Sequence, residues 1–141
     1  MHDKKLTEAD QALIAAARNM ITRLYQENRH HIGAAVRTKS GRIHTAVHLD
    51  TYVGRASVCA EAVAIGKAIS EGDHEIECIV SVRHPRPRET NREIQVVSPC
   101  GICREMLNDF ARDCTVIIPA DGGLARVPVA ELLPNKYNRK S

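Results

Sequence analysis

Two short stretches are the most informative about the fold and function of this chain: Ser57-Val58-Cys59-Ala60-Glu61 and, further along, Ser98-Pro99-Cys100-Gly101-Ile102-Cys103-Arg104. Cys100 and Cys103 are three residues apart, so on one helical turn they point the same way. Ser98-Pro99 predicts a helix start, with serine as the N-cap and proline at the first helical position. Unpaired N–H groups and the helix dipole favour thiolate over thiol there. Two thiolates on one turn make half of a tetrahedral zinc site.

A third sulfur ligand comes from Cys59, which also lies near a predicted helix start, after Ser57. Three protein ligands leave the fourth position of zinc open for water, which is the arrangement of a catalytic site. Glu61 lies two residues beyond Cys59, where it can face the metal without binding it. A carboxylate beside such a water can take its proton and pass it to a substrate. The two stretches therefore predict hydrolysis at an electron-poor carbon.

Each of these interpretations has an alternative. A Cys-x-x-Cys pair alone is equally typical of a redox dithiol, but Cys59 with Glu61 beside it favours zinc. A closed structural site would need a fourth ligand, whereas Cys78 and Cys114 open predicted strands and fit small buried residues. Glu61 has an alternative role as a helix-capping carboxylate. Arg104 is predicted to hydrogen-bond the neighbouring thiolates and make the bound water more acidic, and the alternative is a surface arginine.

The pattern of Cys-Ala-Glu at 59–61 followed by Pro-Cys-Gly-Ile-Cys-Arg at 99–104 resembles the zinc-dependent cytidine deaminase family, nearest to its small blasticidin-S-deaminase-like members. Segments 32–36, 41–43 and 131–134 fall where that family has similar segments. The resemblance implies an α/β fold, a three-layer α-β-α sandwich with a five-stranded mixed sheet. It also implies a Zn²⁺ cofactor, a small nucleoside-like substrate, and a homotetramer with sites at subunit interfaces.

The resemblance weakens at the positions that choose the substrate. The family commonly holds the ribose hydroxyls with an Asn-x-Glu pair, and this sequence has His48 and Asp50 at the matching positions. His30 stands where the family often stacks an aromatic side chain on the base. The resemblance also implies contacts to the amino group and ring from the backbone near Ala60 and Ser98. These departures leave the metal and the proton shuttle intact, so they predict an altered substrate rather than an altered reaction.

The predicted function is hydrolytic deamination of a cytidine-like nucleoside, in which an amino group becomes a carbonyl and ammonia is released. Glu61 is the catalytic residue in this interpretation, and Tyr137 closes the pocket of its own or a neighbouring subunit, as the family implies. Two alternatives stay open. One is deamination of a nucleoside antibiotic such as blasticidin S or of another amino-heterocycle. The other is a non-catalytic zinc module that binds a nucleotide or a protein, against which the intact glutamate argues.

Composition limits the other classes of protein to which the chain could belong. A chain of 141 residues fits a single domain, 1–141, with a real core. No apolar run approaches the ~20 residues that span a membrane. The first residues lack the apolar stretch of a signal peptide, so a cytoplasmic protein is expected. Five cysteines with a Cys-x-x-Cys pair indicate metal or redox use rather than disulfides. A net charge of +3, no Trp and one Phe argue against a nucleic-acid partner.

Periodicity predicts the elements around the two stretches. Thr7 begins a helix whose apolar residues continue to Leu24, and a hairpin follows over 31–38 and 42–49. Further helices are predicted over 58–71, 99–110 and 129–133, strands over 76–82, 115–118 and 124–127, and a brief extended piece over 94–97. Right-handed crossovers place both middle helices on one sheet face with their starts at one edge. The Arg-rich segment 84–92 is either a solvated loop or an anion-binding or subunit-contact loop.

Overall fold

The computed structural model describes residues 5–139 of the chain. In chain order its elements are α1 (Glu8–Leu24), β1 (Ile32–Thr38), β2 (Ile43–Val47), α2 (Ala60–Ser70), β3 (Ile76–Arg83), β4 (Gln95–Val97), α3 (Gly101–Phe110), β5 (Thr115–Ala120) and β6 (Gly123–Pro128). One-turn 3-10 helices follow β2 at Gly54–Ala56 and β6 at Val129–Leu132. The expectation about a signal peptide rests on residues 1–5, of which 1–4 lie outside the described residues. None of the helices in this described part is long and apolar enough to cross a membrane.

The sheet is mixed, and β3 is its central strand. β1 lies between β2 and β3 and is antiparallel to both, while β5 runs parallel to β3 and β6 is antiparallel to β5. These are the five predicted strands. The predicted extended piece is a sixth short strand, β4, which pairs antiparallel with the end of β3, from Ser81↔Val97 to Arg83↔Gln95.

The helices form one layer on each face of this sheet. Because side chains alternate along a strand, Ala35 of β1 packs with α1, whereas Ala34 and Val36 pack with α2 and α3. The α1 layer buries four apolar residues of the helix: Leu13, Ile14, Ala17 and Ile21. The predicted three-layer α-β-α sandwich is therefore confirmed.

The close approach of α1 to the sheet depends on Gly33 in β1. A Cβ at this position would lie 2.8 Å from the carbonyl oxygen of Ala17 and 3.0 Å from the Cβ of Ile21. Both distances are shorter than ordinary van der Waals contact, so a side chain here would push the helix away from the strand.

A buried carboxylate joins α1 to two strands. Thr7 caps α1 as predicted: its hydroxyl accepts a hydrogen bond from the Asp10 N–H at 3.1 Å, and the Asp10 carboxylate accepts one from the Thr7 N–H at 3.0 Å. Asp10 is fully buried and also lies 3.1 Å from Arg37 on β1 and 3.0 Å from Arg126 on β6. Burial would raise the pKa of Asp10, but the Thr7 amide and the two guanidinium groups outweigh it and hold the pKa below its usual value.

Both crossover helices begin two residues later than the sequence pattern predicts. Cys59 is the N-cap of α2 and Cys100 is the N-cap of α3, each with extended backbone and with no hydrogen bond from its side chain to the helix it caps. The prediction of Ser98 as N-cap is therefore wrong, because the chain that leaves β4 enters the helix only after Cys100. Cys59 and Cys100 therefore lie where an extended segment meets the start of a helix, and neither thiol bonds to the helix that follows it.

Candidate active site

Three cysteine sulfurs converge at the edge of the sheet where α2 and α3 begin. The Sγ atoms of Cys59, Cys100 and Cys103 all lie within 4.8 Å of one another, and those of Cys59 and Cys100 are 3.5 Å apart. Within residues 5–139 this is the only cluster of metal-ligating side chains of that kind. A tetrahedral zinc ion with Zn–S bonds of ~2.3 Å holds its sulfurs about 3.8 Å apart. The spacing of the three thiols thus fits one such ion.

The chain before Cys59 is fixed by a short antiparallel bridge. Leu49, just beyond β2, and Val58 exchange both of their backbone hydrogen bonds, at 2.9 and 3.0 Å. The bridge fixes Cys59, the next residue, beside the end of β2. Cys100 and Cys103 come instead from the first turn of α3, so two separate parts of the chain supply the sulfurs.

The electrostatics of the cluster also fit a cation. Burial raises the pKa of Cys59, with a further contribution from its hydrogen bond to Cys100. Burial and then the charge of Glu61 raise the pKa of Cys103. Burial acts in the same direction on Cys100, but the N–H of Cys103 and the neighbouring thiols outweigh it and lower that pKa. Sulfurs and a carboxylate this close repel one another when ionised, and a divalent ion removes the repulsion. A set of three thiols favours Zn²⁺ among such ions.

Glu61 is the second residue of α2 and is only 5% exposed. It lies on the wall of a cavity of about 200 Å³. The cavity is lined by two of the three cysteines, by apolar side chains and by a few polar groups: Ile32, His48, Cys59, Ala60, Glu61, Val97, Ser98 and Cys100. A narrow cavity with apolar walls and a buried carboxylate beside the sulfurs is suited to a flat ring whose reacting atom faces the cluster.

The structure brings some of the predicted substrate-binding residues to this cavity and leaves others outside its lining. His48, Ala60 and Ser98 line it, whereas His30 and Asp50 do not. His30 instead donates a hydrogen bond from Nδ1 to the carbonyl oxygen of His48 at 2.9 Å. The backbone N–H of Asp50 bonds the carbonyl oxygen of Arg29 at 2.9 Å.

Tyr137 lies away from the cavity of its own chain. It is 77% exposed and lines a larger hollow of about 560 Å³ between α3 and the C-terminal segment. Lys136 holds that segment to α3 through Glu105 at 3.2 Å and Asp109 at 2.9 Å. This hollow contains none of the three sulfur ligands. In a single chain, Tyr137 therefore does not close the predicted pocket.

Arg104 has partners other than those predicted. Its Nε donates to the carbonyl oxygen of Pro99 at 2.8 Å, and its Nη1 donates to that of Leu132 at 3.2 Å. These carbonyl groups, rather than thiolates, satisfy the guanidinium, because the chain before Cys100 is extended and leaves a carbonyl available. Arg104 thereby ties the segment before Cys100 to the 3-10 turn after β6.

The Arg-rich segment 84–92 is organised by its own contacts. Arg83 and Glu89 form a two-pronged ion pair, with Arg83 Nη1 and Glu89 Oε1 2.9 Å apart, and the hydrogen bonds from Arg83 lower the pKa of Glu89 to about 2. Arg92 donates to the carbonyl oxygen of Arg86 at 2.6 Å. The Arg86 side chain itself is exposed. The loop is therefore held in one conformation by contacts within its own segment.

Sequence reasoning missed how His48 is held. Its Nδ1 accepts hydrogen bonds from the backbone N–H groups of His31 at 3.0 Å and Ile32 at 3.1 Å. The only sequence signal was the position of several histidines on both sides of the β1–β2 hairpin. The bonds themselves depend on strand pairing, which a linear pattern does not specify.

The other two cysteines are core residues, as predicted. Cys78 and Cys114 are both 0% exposed. Burial raises the pKa of each thiol, that of Cys114 to about 12. Neither belongs to the sulfur cluster, so neither supplies a fourth protein ligand.

Comparison with known proteins agrees with this geometry. A family model described as the cytidine and deoxycytidylate deaminase zinc-binding region matches residues 7–118. The blasticidin-S deaminase of Bacillus cereus is 50% identical over 134 residues, which are 95% of this chain and 96% of that protein. A cytidine deaminase of Halalkalibacterium halodurans is 29% identical over 112 residues, covering 78% of this chain and 79% of that one.

Solved structures share the fold. The cytidine deaminase from Bacillus anthracis superposes with a TM-score of 0.75 at 25% identity, over 90% of this chain and 88% of that chain. The cytidine deaminase from Burkholderia pseudomallei has a TM-score of 0.73 at 23% identity, over 94% of this chain and 100% of that chain, which shows the fold alone. The chain therefore belongs to the cytidine and deoxycytidylate deaminase family of zinc-dependent hydrolytic deaminases.

Proposed function

We propose that this enzyme deaminates cytosine nucleosides and that blasticidin S is a better substrate than cytidine. The convergence of three thiols with the buried carboxylate of Glu61 on the wall of one cavity carries the proposal of deamination. The 50% identity with the Bacillus cereus blasticidin-S deaminase supports the choice of substrate. So do His48 and Asp50, which replace the Asn-x-Glu pair associated with ribose recognition.

Cys59, Cys100 and Cys103 would hold Zn²⁺ in this proposal. A bound zinc with one open position supplies a water whose pKa falls to ~7, so that it can deprotonate near neutral pH. The protein leaves that position to water because Cys78 and Cys114 are buried elsewhere in the core.

Glu61 moves the proton. Its carboxylate accepts one proton from the attacking water and delivers it to a ring nitrogen, and then carries the second proton, from the newly formed hydroxyl, to the departing amino group. The water oxygen forms a bond to the ring carbon, the C–N bond breaks, and the nitrogen leaves as ammonia. Ile32 and Val97 would lie against the ring, and the backbone near Ala60 together with Ser98 would contact its polar edge.

The test is ammonia release by the zinc-loaded protein from blasticidin S, cytidine and 2′-deoxycytidine. We expect release from all three, with a kcat/KM for blasticidin S at least about tenfold higher than for cytidine, because a site shaped for one sugar discriminates against another. A protein that binds zinc but releases no ammonia from any of them would be the non-catalytic module, and the proposal would fail. The Glu61→Gln variant serves as the inactive control.

We also propose that the enzyme assembles as a homotetramer. Large apolar side chains are exposed on the segment between β2 and α2 and on the first turn of α3: Tyr52 at 93%, Val53 at 67% and Ile102 at 70%. Exposed apolar side chains of this kind can form subunit contacts, and in such an assembly Tyr137 would reach the cavity of a neighbouring subunit. Light scattering should give the mass of four 15.6 kDa chains. A monomer at micromolar concentration would contradict this proposal.

We propose further that the chain acts as a single domain in a reducing compartment such as the cytoplasm. The five cysteines are free thiols in the structure, as expected where disulfides do not persist. Cell fractionation tests the compartment, and limited proteolysis that yields one resistant core tests the single domain.

A further inference from the structure

Two polar side chains, His48 and Ser98, line the cavity in addition to the cysteines and Glu61. A ring whose amino-bearing carbon faces the sulfur cluster presents the rest of the molecule to these two groups. What His48 can offer to that part of the substrate is set by the hydrogen bonds that hold it.

Four hydrogen bonds fix His48 against the start of β1. Its backbone N–H donates to the carbonyl oxygen of Ile32 at 3.0 Å, and its carbonyl oxygen accepts from His30 Nδ1 at 2.9 Å. Its ring Nδ1 accepts from the backbone N–H groups of His31 at 3.0 Å and Ile32 at 3.1 Å. Because these bonds fix the orientation of the imidazole, His48 can make a well-defined contact with a ligand.

These bonds also decide where the imidazole proton lies. Backbone N–H groups can only donate, so His48 Nδ1 must be the unprotonated nitrogen and Nε2 must carry the proton. Burial, and after it the charge of neighbouring His31, lowers the pKa of His48, which keeps the ring neutral near pH 7. Within residues 5–139 both hydrogen bonds of the His48 ring are made by Nδ1, and His48 lines the cavity, which leaves its Nε2–H for a ligand there. An asparagine here would both donate and accept, whereas this imidazole can only donate.

We propose that His48 is a specificity-determining residue, whose Nε2–H donates one hydrogen bond to a carboxylate on the sugar part of the substrate. The inference rests on the proposed function and deepens it. A sugar hydroxyl can accept this bond, but its own proton finds no acceptor on His48. Vicinal hydroxyls therefore add little to recognition, and a sugar that lacks the vicinal diol and carries a carboxylate elsewhere on its ring, as that of blasticidin S does, suits the site.

A comparison of substrates tests the proposal on the unmodified enzyme. We expect the kcat/KM for cytidine to exceed that for 2′,3′-dideoxycytidine by less than about tenfold, because at most one ordinary hydrogen bond is at stake. A site built around hydroxyls discriminates by ~10⁴ or more. A ratio above tenfold would overturn the inference.

Variants at His48 test it independently. In His48→Ala, we expect KM for blasticidin S to rise about tenfold, kcat to change little, and kcat/KM for cytidine to change less than about threefold. His48→Gln, whose amide can donate, should restore most of the loss for blasticidin S and should raise the preference for cytidine over 2′,3′-dideoxycytidine, because it adds an acceptor. Zinc content and Tm are measured for both variants.

Failure of the His48 inference can be distinguished from failure of the proposed deaminase function. Equal losses on both substrates in His48→Ala, or no loss on either, would refute the role of His48 while ammonia release by the unmodified enzyme upholds the proposed function. Absence of ammonia from every nucleoside with the unmodified enzyme would refute both. If His48→Ala does not fold, His48→Gln and the substrate comparison still decide the question.

Discussion

The sulfur atoms of Cys59 and Cys100 lie 3.5 Å apart although 41 residues separate them in the chain. Each is the N-cap of a crossover helix, and neither caps its helix with its side chain. Their distance is set by the parallel crossovers that bring α2 and α3 to the same sheet edge. The site is thus a product of the topology.

Replacing one of the three sulfur ligands should weaken zinc binding. Cys100→Ser and Cys103→Ser are each expected to lower zinc content well below one per chain, because a hydroxyl is a poor ligand where thiolate is required. Metal analysis after dialysis measures this. Cys114→Ala is the matched control, since Cys114 is buried away from the cluster, and it should keep its zinc. Full zinc content in both serine variants would contradict the ligand set.

Removing the proton shuttle should separate metal binding from turnover. Glu61→Gln is expected to keep its zinc and to lose kcat by about 10²–10⁴, the usual contribution of a positioned acid–base group. Steady-state ammonia assays measure the loss. Glu71→Gln, at the opposite end of α2, is the control and should retain its activity. Undiminished activity in Glu61→Gln would remove this residue from the mechanism.

The buried carboxylate of Asp10 should dominate the stability of the α1 layer. Asp10→Asn is expected to lower the free energy of unfolding by about 3–5 kcal/mol, because it removes the charge that Arg37 and Arg126 share. Urea denaturation measures the change. Glu77→Gln provides the comparison, since Glu77 pairs with Arg37 from a half-exposed position and should cost at most ~1 kcal/mol. Equal effects of the two substitutions would contradict this account.

The same carboxylate should shape the response to acid. The pKa of Asp10 is lower in the folded protein than its usual value, so its contribution to stability is complete above pH ~4 and is lost as the pH falls through the folded-state pKa. The free energy of unfolding should therefore fall more steeply between pH 4 and pH 2 in the parent protein than in Asp10→Asn. Parallel curves for the two proteins would show that another group controls acid unfolding.

Two glycines should respond in opposite directions to alanine. Gly33→Ala is expected to destabilise the protein by about 1–3 kcal/mol, because the new Cβ would meet the backbone of α1 at Ala17. Gly66→Ala lies within α2 with open space around it and should stabilise by up to ~1 kcal/mol through helix propensity. Thermal unfolding of the pair measures both. A tolerated alanine at position 33 would mean that α1 can shift.

Much of this arrangement is predictable from sequence because local signals agree with the topology. The Thr7 cap, the apolar spacing of α1 and the alternation of helices and strands all lead to the three-layer sandwich. The spacing of Cys100 and Cys103 and the position of Glu61 after Cys59 lead to the site. Helix boundaries were less predictable, because Ser98-Pro99 is an ordinary start signal that the chain leaving β4 does not use.

Other features depend on contacts between distant segments. The partners of Arg104 are backbone carbonyls, one of them on Leu132, and no pattern near Arg104 indicates that residue. The shared ion pairs of Asp10 likewise join a helix to two strands. The single-donor state of His48 follows from its bonds to His31 and Ile32, and these exist only because β1 and β2 pair.

The helices on the two faces of the sheet are stabilised by different interactions, so we expect the two helix layers to unfold under different conditions. An ion bound by Cys59, Cys100 and Cys103 would cross-link the starts of α2 and α3, whereas α1 supplies none of these ligands and packs through its own apolar cluster. A chelator that removes the ion would therefore destabilise the α2–α3 layer and leave the α1 layer folded. Amides at the starts of α2 and α3 would lose their protection from deuterium exchange first, while those of α1 would remain protected.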